Sequence, residues 1–495
     1  MAALARPDAR ILGQLSRASK GVVSLTLRSR SRNTLRFAST TAGDGSKQKE
    51  RIVVLGSGWA GYALARTLKP SKSSRILISP RSHFVFTPLL ASSAVGTLEF
   101  RAVIEPVRRL GLDEFHQAWA SSIDFERKVV RVEANTRDDV AKTGAANVVK
   151  GKEFDVPYDK LVVAVGCYSQ TFGVEGVKEH ANFLRDIGDA RAVRLKVLQA
   201  FEKAALPTSS VADRKRLLHF AVVGGGPTGI EFAAELHDLI HEDLKNMYPE
   251  LQEHVAITIY DIAPKVLPMF DQNLASYATD MFHRKGIRVK TEHHLQRIRR
   301  DGDVLMMSIK EEPEEVGAGV VVWSTGLMQN PLVGELLGRE IEGVGRIAKD
   351  PKSGGIVTDS HLRVQVQSSD GSGKTTTLPD VYAIGDCAVV PDQALPATAQ
   401  VASQQAVYLG KRLNSKTSDD ATTTAGFKFR NWGTMAYLGG WRAIHQSEAD
   451  ELKGRAAWIL WRTAYLTKSM SIRNKMLIPV YWLATWIFGR DISRF

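Results

Sequence analysis

The sequence predicts an α/β fold with two Rossmann-like domains followed by a smaller C-terminal domain. Two glycine motifs predict the Rossmann-like domains, because each lies between an apolar strand and a helix. A change in composition predicts the C-terminal domain, because residues 426–495 hold six of the nine tryptophans: Trp432, Trp441, Trp458, Trp461, Trp482 and Trp486. A chain of 495 residues is long enough for two or three domains.

The first glycine motif is RIVVLGSGWAGYALARTL, which begins at Arg51. Its apolar run, Ile52 to Leu55, predicts a buried strand, and Tyr62 to Leu68 predicts the first turns of a helix. The glycines in the G-x-G-x-x-G spacing are Gly56, Gly58 and Gly61. One lets the chain turn, one lets the backbone approach a pyrophosphate, and one lets the helix pack on the strand. Since the start of a helix also attracts phosphate, the motif predicts a dinucleotide site rather than an ordinary glycine-rich loop.

The next predicted strand, Arg75 to Ser79, ends without the acid that holds ribose hydroxyls in many nucleotide-binding folds. Ser79-Pro80-Arg81 stands there instead. This disfavours NAD and leaves room for a ligand held mainly by its phosphates, such as FAD. The segment that follows, His83 to Leu90, is an apolar loop that includes Thr87, and its composition alone favours core packing.

The second glycine motif is FAVVGGGPTGIEFAAEL, which begins at Phe220. Its glycines are Gly224, Gly226 and Gly229. Val255 to Tyr260 predicts the next strand, and Asp261 follows it, later than the usual spacing of about 20 residues because the intervening helix is long. A carboxylate there accepts hydrogen bonds from ribose hydroxyls and repels a 2′-phosphate, which favours NAD(H) over NADP(H). The alternative is that Asp261 only caps a turn or a helix.

Three further turns and one further helix are predicted outside the two glycine motifs. Two buried strands end in glycine, at Gly166 and Gly326. Gly385 and Asp386 follow a short predicted strand, and the acid there either holds flavin hydroxyls or closes an Asx turn. Asn182 to Arg194 predicts a surface helix.

Pro396 to Arg412 predicts a second helix, with Gln400 and Gln404 one turn apart on the same face. Solvated glutamines are common on helices, so the residues alone leave a ligand-binding face and a solvated face equally open.

The basic charge of the chain is concentrated at its N-terminus. The formal net charge is +13, and residues 1–42 carry eight basic side chains against one acid, Asp8. A nucleic-acid-binding protein would gather such charge on a folded face. An arginine- and serine-rich, acid-poor segment is typical of a mitochondrial transit peptide, which we predict for residues 1–42; the alternative is a disordered basic tail. No apolar run there could span a bilayer, so the mature chain is expected to begin as a soluble domain on the matrix side.

The C-terminal segment combines basic flanks, tryptophans and a short apolar run. Arg455 to Lys475 predicts a helix, and Met476 to Phe488 is almost wholly apolar with Pro479 inside it. The apolar run is too short to cross a bilayer. Its flanks favour a segment that lies in one leaflet, and a buried core or dimer helix is the alternative.

Together these stretches resemble the mitochondrial type II NADH dehydrogenases, the rotenone-insensitive, single-chain NADH:ubiquinone oxidoreductases. The resemblance runs from Arg51 to Phe495 and rests on VVLGSGWAGYALARTL, SPRSHFVFTPLL, AVVGGGPTGIEFAAEL, LPDVYAIGDCA, LPATAQVASQQAVYL and GTMAYLGGW. It implies a two-dinucleotide-binding-domain flavoprotein with a C-terminal membrane-attachment domain. The implied domains are the FAD-binding domain in two parts, 48–170 and 328–425, the NADH-binding domain, 171–327, and the membrane-anchoring and dimerisation domain, 426–495.

The resemblance also implies roles for single residues. Those that would hold FAD are Gly56, Ser57, Gly58, Gly61 and Asp386, with Thr87 near the isoalloxazine ring. Those that would line the NADH site are Gly224, Gly226, Gly229, Glu231 and Asp261. The other residues of the implied cofactor sites are Ser79, Arg81, Gly166, Gly326 and Gly385. Gln400 and Gln404 stand where the family places quinone contacts and, with Glu231, form the implied catalytic set.

The reaction that the resemblance implies passes a hydride from NADH to FAD and then two electrons to ubiquinone at the mitochondrial inner membrane, without proton pumping. The implied partners are ubiquinone, the membrane surface and a second copy of the chain, with no nucleic acid and no metal.

Four other classes are weighed against this one. A disulfide reductase and a zinc ribbon are excluded, because Cys167 and Cys387 are the only cysteines and form no C-x-x-C. A sulfide:quinone oxidoreductase needs a reactive cysteine pair that these two do not match. An apoptosis-inducing-factor-like redox protein remains an alternative, and turnover of NADH with ubiquinone would separate it.

Overall fold

The computed structural model describes residues 49–135, 151–368, 375–391, 393, 395–415 and 425–493. The predicted transit peptide, 1–42, lies outside these residues. The described residues combine parallel sheets with helices, so the predicted α/β class is confirmed.

The first sheet has ten strands and a parallel centre. Its order from edge to edge is Glu340–Ile341, Gly345–Ile347, Arg363–Gln367, Thr375–Ala383, Lys160–Val163, Glu50–Leu55, Ser73–Ser79, Glu114–Asp124, Val129–Ala134 and Glu153–Pro157. Glu50–Leu55, the strand of the first motif, pairs in parallel with Ser73–Ser79 and with Lys160–Val163. Thr375–Ala383 extends the parallel centre. Strands from both sides of the second motif therefore share one sheet.

The second sheet has five parallel strands. Its order is Asn182–Phe183, Val320–Trp323, His219–Val223, Ala256–Tyr260 and Arg288–Lys290. An antiparallel meander contributes to the hydrophobic core on one face of this sheet, and its strands are Leu295–Asp301, Val304–Ile309 and Val316–Ala318. The strand of the second motif, His219–Val223, lies at the centre of the sheet.

Three strand pairs and one three-stranded sheet complete the strands of the described residues. The pairs are His83–Val85 with Ile104–Pro106, Cys167–Ser169 with Leu327–Gln329, and Ile356–Val357 with Ala388–Val389. The three-stranded sheet is antiparallel and consists of Thr434–Tyr437, Ala443–Gln446 and Glu451–Gly454.

The α-helices of the described residues are labelled in chain order. They are α1 (Trp59–Thr67), α2 (Leu90–Ala94), α3 (Val177–His180), α4 (Ile187–Ala205), α5 (Val211–Leu217), α6 (Pro227–Asp238), α7 (Lys245–Met247), α8 (Gln272–Arg284), α9 (Pro331–Gly338), α10 (Ala399–Leu413), α11 (Arg455–Lys468) and α12 (Ile472–Phe488). A π-helical segment, Leu239–Leu244, continues α6. The 3₁₀ turns are Thr87–Leu89, Phe100–Ala102, Val107–Leu110, Pro249–His254 and Gly385–Cys387.

The third glycine of each motif lets a helix approach its strand closely. A Cβ on Gly61 would overlap the carbonyl oxygen of Gly56, and a Cβ on Gly229 would overlap that of Gly224. The two motifs are therefore built alike, as their common spacing predicts.

The helix predicted over Asn182 to Arg194 is present, but it begins later than predicted and extends further, to Ala205. Asn182–Phe183 is a strand of the second sheet, and α4 begins only at Ile187. Asp186 starts the helix, because its carboxylate accepts a hydrogen bond from the Ile187 N–H at 2.6 Å. The face that includes Val193 is buried, and Arg191 is exposed, as expected of a helix at the surface.

The C-terminal segment contains two helices where one long helix, Arg455 to Lys475, was predicted. α11 ends at Lys468, and Ser471 begins α12 by accepting a hydrogen bond from the N–H of Asn474 at 3.1 Å. Pro479 lies inside α12. Among the described residues, no helix is both long enough and apolar enough to cross a membrane.

Candidate functional site

The first glycine turn leaves open space and free donors at the start of α1. Gly58 is the capping residue of this helix, and within the described part of the chain no side chain hydrogen-bonds to that end. A Cβ on Gly58 would have no atom within 4 Å. Because a pyrophosphate needs close backbone approach and N–H donors, these residues fit a dinucleotide.

Neutral hydroxyls stand beside this turn in place of an acid. The oxygen of Ser79 lies 2.8 Å from that of Ser57, and both side chains are buried. The N–H of Arg81 donates to Ser79 at 3.2 Å. The hydroxyl pair therefore adds no negative charge near bound phosphates.

The side chain of Arg81 pairs with Asp186, the residue that caps α4. Arg81 Nε lies 2.6 Å from one carboxylate oxygen, and His83 Nε2 lies 3.6 Å from the other. Burial opposes ionisation of Asp186, but these two partners and the Ile187 N–H leave its pKa below the ordinary value. The ion pair of Arg81 and Asp186 thus joins the segment after the first motif to α4, in the second Rossmann-like unit.

Thr87 lies at the start of the first 3₁₀ turn. Its hydroxyl accepts a hydrogen bond from Trp59 Nε1 at 2.9 Å, which joins it to the first turn of α1. Phe84 and Leu89 on either side are fully buried. The apolar residues of this segment therefore pack in the core, as their composition predicts, while the Thr87 residue itself is exposed.

The Gly385–Asp386 turn lies against the start of α1. A Cβ on Gly385 would be 3.2 Å from the Cβ of Ala60. The Gly385 N–H donates to Gln405 Oε1 at 2.7 Å, and this glutamine is buried. The Asp386 carboxylate accepts a hydrogen bond from Cys167 Sγ at 3.2 Å. An acid is thus held beside the open space at the first glycine turn.

The amides of Gln400 and Gln404 bind the backbone of residues 430–433. Gln404 donates to Arg430 O at 2.9 Å and accepts from Arg430 N at 3.0 Å. Gln400 donates to Gly433 O at 2.7 Å and accepts from Trp432 N at 3.2 Å. The two side chains share a face of α10, as predicted, and hold the segment that leads into the C-terminal domain.

The second glycine turn repeats the open geometry of the first. Gly226 begins α6, and a Cβ on it would have no atom within 4 Å. The Asp261 carboxylate accepts hydrogen bonds from the N–H groups of Gly225 and Ala263, the latter at 2.7 Å. Asp261 therefore closes the turn and places its negative charge at the edge of that turn.

Gly166 and Gly326 flank a strand pair that joins the two large sheets. Both have a positive φ, +66° and +78°. Cys167 directly follows Gly166 and pairs with Gln329 in the antiparallel register of the pair. Each large sheet contains one of the two strands that lead to these glycines, and the antiparallel pair that follows links them.

Glu231 faces the C-terminal domain from α6. It is 8% exposed, and its Oε1 accepts hydrogen bonds from the N–H of Tyr437 at 3.0 Å and from Trp461 Nε1 at 3.2 Å. Burial raises its pKa to about 8, although both donors act in the opposite direction. The carboxyl group is therefore held protonated at neutral pH in the described structure.

The structure thus brings the first turn, Ser79, Asp386 and α10 together, and places Asp261 at the second turn. Two residues of the site, Gln405 and Asp186, were not predicted from the sequence. The run of glutamines on α10 was the only signal for Gln405. No group of acids, histidines and cysteines in the described residues could hold a metal ion.

Comparisons with known proteins agree with this geometry. A family model described as pyridine nucleotide-disulphide oxidoreductase matches residues 50–406, and one described as the NDH2 C-terminal domain matches residues 432–491. A probable NADH dehydrogenase of Dictyostelium discoideum is 39% identical over 90% of this chain and 92% of its own. An internal alternative NAD(P)H-ubiquinone oxidoreductase A1, mitochondrial, of Solanum tuberosum is 36% identical over 91% and 89%. The solved NDH2 of Plasmodium falciparum in complex with NADH superposes with a TM-score of 0.79 at 25% identity, covering 90% of this chain and all of that one.

Proposed function

The chain belongs to the type II NADH dehydrogenases, within the pyridine nucleotide-disulphide oxidoreductases, and from this premise we propose that it is an FAD-dependent NADH:ubiquinone oxidoreductase that pumps no protons. The observation that carries the proposal is the pair of glycine turns, each with open space at its second glycine, in a chain whose C-terminal domain packs onto the helix of the second turn. FAD, when bound, supplies the chemistry that accepts a hydride and releases electrons to a quinone.

For the first site we propose that Gly56, Ser57, Gly58 and Gly61 receive the phosphates of FAD, with Ser79, Arg81, Thr87, Gly166, Gly385 and Asp386 around the rest of it. The free N–H groups at the start of α1 favour the phosphates, and Asp386 offers an acceptor for hydroxyl groups. Gln405 positions that acid by holding the Gly385 N–H. These residues lie in 48–170 and 328–425, the two ranges that together supply all ten strands of the first sheet, and this supports the proposal of a divided FAD domain.

For the second site we propose that Gly224, Gly226, Gly229 and Gly326 surround NADH and that Asp261 selects it over NADPH. The Asp261 carboxylate is already oriented by two N–H donors, so its charge is fixed where a 2′-phosphate would be repelled. All five parallel strands of the second sheet lie within 171–327, the proposed NADH domain.

For the quinone we propose contacts with Gln400 and Gln404. Each amide nitrogen carries two hydrogens, and the backbone of residues 430–433 takes one of them, so a second donor remains on each side chain. Glu231 is proposed as the third catalytic group, since a carboxyl that holds its proton at neutral pH can supply one to a reduced quinone.

For the C-terminal domain, 426–495, we propose attachment to one leaflet of the membrane through an exposed apolar face of α12. Met476, Val480, Leu483 and Ile487 follow one another at helical spacing and are 55–67% exposed. The opposite side of α12, which includes Ile478 and Trp482, is buried on the protein. A homodimer is also proposed on the family resemblance, and sedimentation of the purified enzyme would test it.

We propose a mitochondrial location, directed by residues 1–42, with the enzyme on the matrix face of the inner membrane. The potato relative, whose name includes "internal" and "mitochondrial", supports this. Protease protection in intact and ruptured inner-membrane vesicles tests the orientation.

The function is tested by the absorption spectrum of the purified, yellow protein. NADH should bleach the flavin band, and ubiquinone should restore it within the same cuvette. In sealed vesicles the turnover should cause no proton uptake or release that an uncoupler abolishes. A protein that NADH bleaches but ubiquinone does not restore would instead fit the apoptosis-inducing-factor-like alternative.

A further inference from the structure

We propose that a cavity in the proposed NADH domain binds a phosphate group, at its end away from the second glycine turn. The cavity encloses about 380 Å³ beside the second sheet. The residues that carry the argument are Lys215, His219, His254, Arg288, Lys290 and the acids Glu253 and Glu312, all of which line it. Its size suits a small molecule.

One end of the cavity lies away from the second glycine turn. Tyr260 and Lys290 carry the lining to the C-terminal ends of two strands, near that turn. His219 and Ala256 line the other end, where two parallel strands begin, whereas the glycine turn follows the C-terminal end of the first of them. The first strand has five residues including both ends, so its ends lie four steps apart, roughly 13 Å at the usual rise. A ligand near His219 would therefore not occupy the space beside Gly226.

Two of the three lining cations are free to bind an anion. Lys290 is paired with Glu312, and His293 lies 3.6 Å from the same carboxylate. Neither Lys215 nor Arg288 pairs with a carboxylate among the residues that the structure describes. Both are exposed at the surface, so an incoming anion can reach them.

One acid faces the cavity without a strong partner. Glu253 has a side chain that is 79% exposed, and it lies 3.7 Å from His254 Nε2. Water screens such an exposed charge, so it opposes the two free cations only weakly.

A buried imidazole supplies an unused polar atom. His254 is 8% exposed, and its Nδ1 has no hydrogen-bond partner in the described structure. His219 is different, because Nδ1 is engaged with Gly317 O at 2.7 Å and Nε2 with Thr258 Oγ1 at 2.9 Å. Since a buried polar atom normally has a partner, the unpaired nitrogen of His254 points to a ligand.

Phosphate matches this set of groups. It carries about −1.5 to −2 charges near neutral pH and several acceptor oxygens. Arg288 can bind two of those oxygens with its planar guanidinium, Lys215 adds a second charge, and the imidazole donates a hydrogen bond. The ligand is then either inorganic phosphate or a phosphate ester, which share this chemistry.

The proposal does not depend on the oxidoreductase function, because its test measures binding without turnover. Inorganic phosphate is titrated calorimetrically into the full, FAD-loaded protein at constant ionic strength, with NAD⁺ at saturation. We expect saturable binding that weakens about tenfold in Arg288→Gln, and similarly in Lys215→Gln. Arg284→Gln is the matched control, since this exposed arginine of α8 lies outside the cavity lining, and it should bind like the parent protein.

A fourth variant gives an effect of opposite sign. Glu253→Gln removes the one weakly paired acid of the lining and should tighten phosphate binding only slightly, because water already screens that charge. Glycerol 3-phosphate and AMP, titrated in parallel, identify the source: a tighter ester indicates a phosphorylated metabolite, and equal affinities indicate phosphate itself. The proposal is overturned if no saturable binding occurs, if Arg284→Gln weakens binding as much as Arg288→Gln, or if a titration without NAD⁺ gives much tighter binding, which would mean that NAD⁺ and phosphate compete.

Discussion

Glu231 on α6 accepts the backbone N–H of Tyr437 at 3.0 Å, which ties the helix of the second glycine turn to the first strand of the C-terminal domain. The hydroxyl of the same tyrosine donates to Asp238, one residue before the π-helical segment, at 2.8 Å. Buried hydrogen bonds therefore join α6, the helix of the second glycine turn, to the proposed membrane domain.

The first prediction concerns the protonation of Glu231. Its pKa rises from the ordinary 4.5 to about 8 on burial, so between those values the folded protein keeps a proton that the unfolded chain loses. Glu231 therefore contributes on the order of a few kcal/mol to the free energy of unfolding. This contribution is fully present below pH 4.5 and is lost as the pH rises through 8. Glu231→Gln keeps an acceptor oxygen and does not titrate. Its thermal midpoint, relative to the parent protein, should rise between pH 5 and pH 8.

The exposed Glu250→Gln is the control for this series, since Glu250 lies at the surface of the same domain. Its midpoint should follow that of the parent protein at every pH. A constant difference between Glu231→Gln and the parent from pH 5 to pH 8 would show that Glu231 ionises normally.

The second prediction separates the two nucleotide sites. The Cβ of a valine at Gly58 or Gly226 would have no protein atom within 4 Å, so both variants should fold and lose the space for a pyrophosphate. Gly58→Val should purify without yellow colour. Gly226→Val should keep its flavin but no longer bleach with NADH. Gly334→Val, at another unobstructed helical glycine, controls for the valine itself, and an exchange of the two phenotypes would reverse the assignment.

The third prediction concerns nucleotide choice. Asp261→Asn removes the charge that repels a 2′-phosphate, a change of about 1–2 kcal/mol or roughly tenfold in the NADH/NADPH ratio of kcat/KM. Since Asp261 also holds the N–H groups of Gly225 and Ala263, the thermal midpoint must be measured alongside. A lower midpoint with an unchanged ratio would mean that Asp261 serves the turn alone.

The fourth prediction concerns the glutamines of α10. Gln404→Ala removes both hydrogen bonds to Arg430 and the spare amide hydrogen, so ubiquinone reduction should slow about tenfold or more. Flavin bleaching by NADH and electron transfer to a water-soluble acceptor should stay unchanged. Gln405→Ala is the contrasting variant. Gln405 accepts the N–H of Gly385 beside the proposed flavin site, so its loss should instead reduce the flavin content. Normal ubiquinone kinetics in Gln404→Ala would refute the quinone contact.

Features set by neighbouring residues could be predicted from the sequence, and contacts between distant segments could not. The strand–glycine–helix units follow from apolar runs and backbone sterics, which are local. Two contacts join separate segments, and neither produces a periodic pattern in the sequence. They are the hydrogen bond that Gly385 donates to Gln405 and the ion pair of Arg81 with Asp186. The break between α11 and α12 was missed because it depends on single serines, Ser469 at the end of α11 and the capping hydroxyl of Ser471 at the start of α12, which the overall helical pattern conceals.

The fifth prediction concerns the exposed face of α12. Each of Met476, Val480, Leu483 and Ile487 contributes ~1.5–3 kcal/mol if it enters the acyl region, so the face gives on the order of 10 kcal/mol before entropy costs. Attachment should therefore survive high salt, which screens only the basic flanks. Val480→Glu with Leu483→Glu should release the protein from mitochondrial membranes, while NADH still reduces a water-soluble acceptor. Trp482 is left unchanged, because it is buried and packs against Arg462, so its replacement would disturb the fold.

The matched control places two glutamates on exposed apolar residues elsewhere, at Leu206 and Val211, which are 51% and 56% exposed. That variant should stay on the membrane, because its changes lie outside the proposed face. If the Val480 and Leu483 variant remains bound through a carbonate wash, the α12 face does not provide the attachment. If that variant leaves the membrane and also sediments as a smaller particle than the parent in detergent, the face joins two copies of the chain, and attachment depends on the dimer.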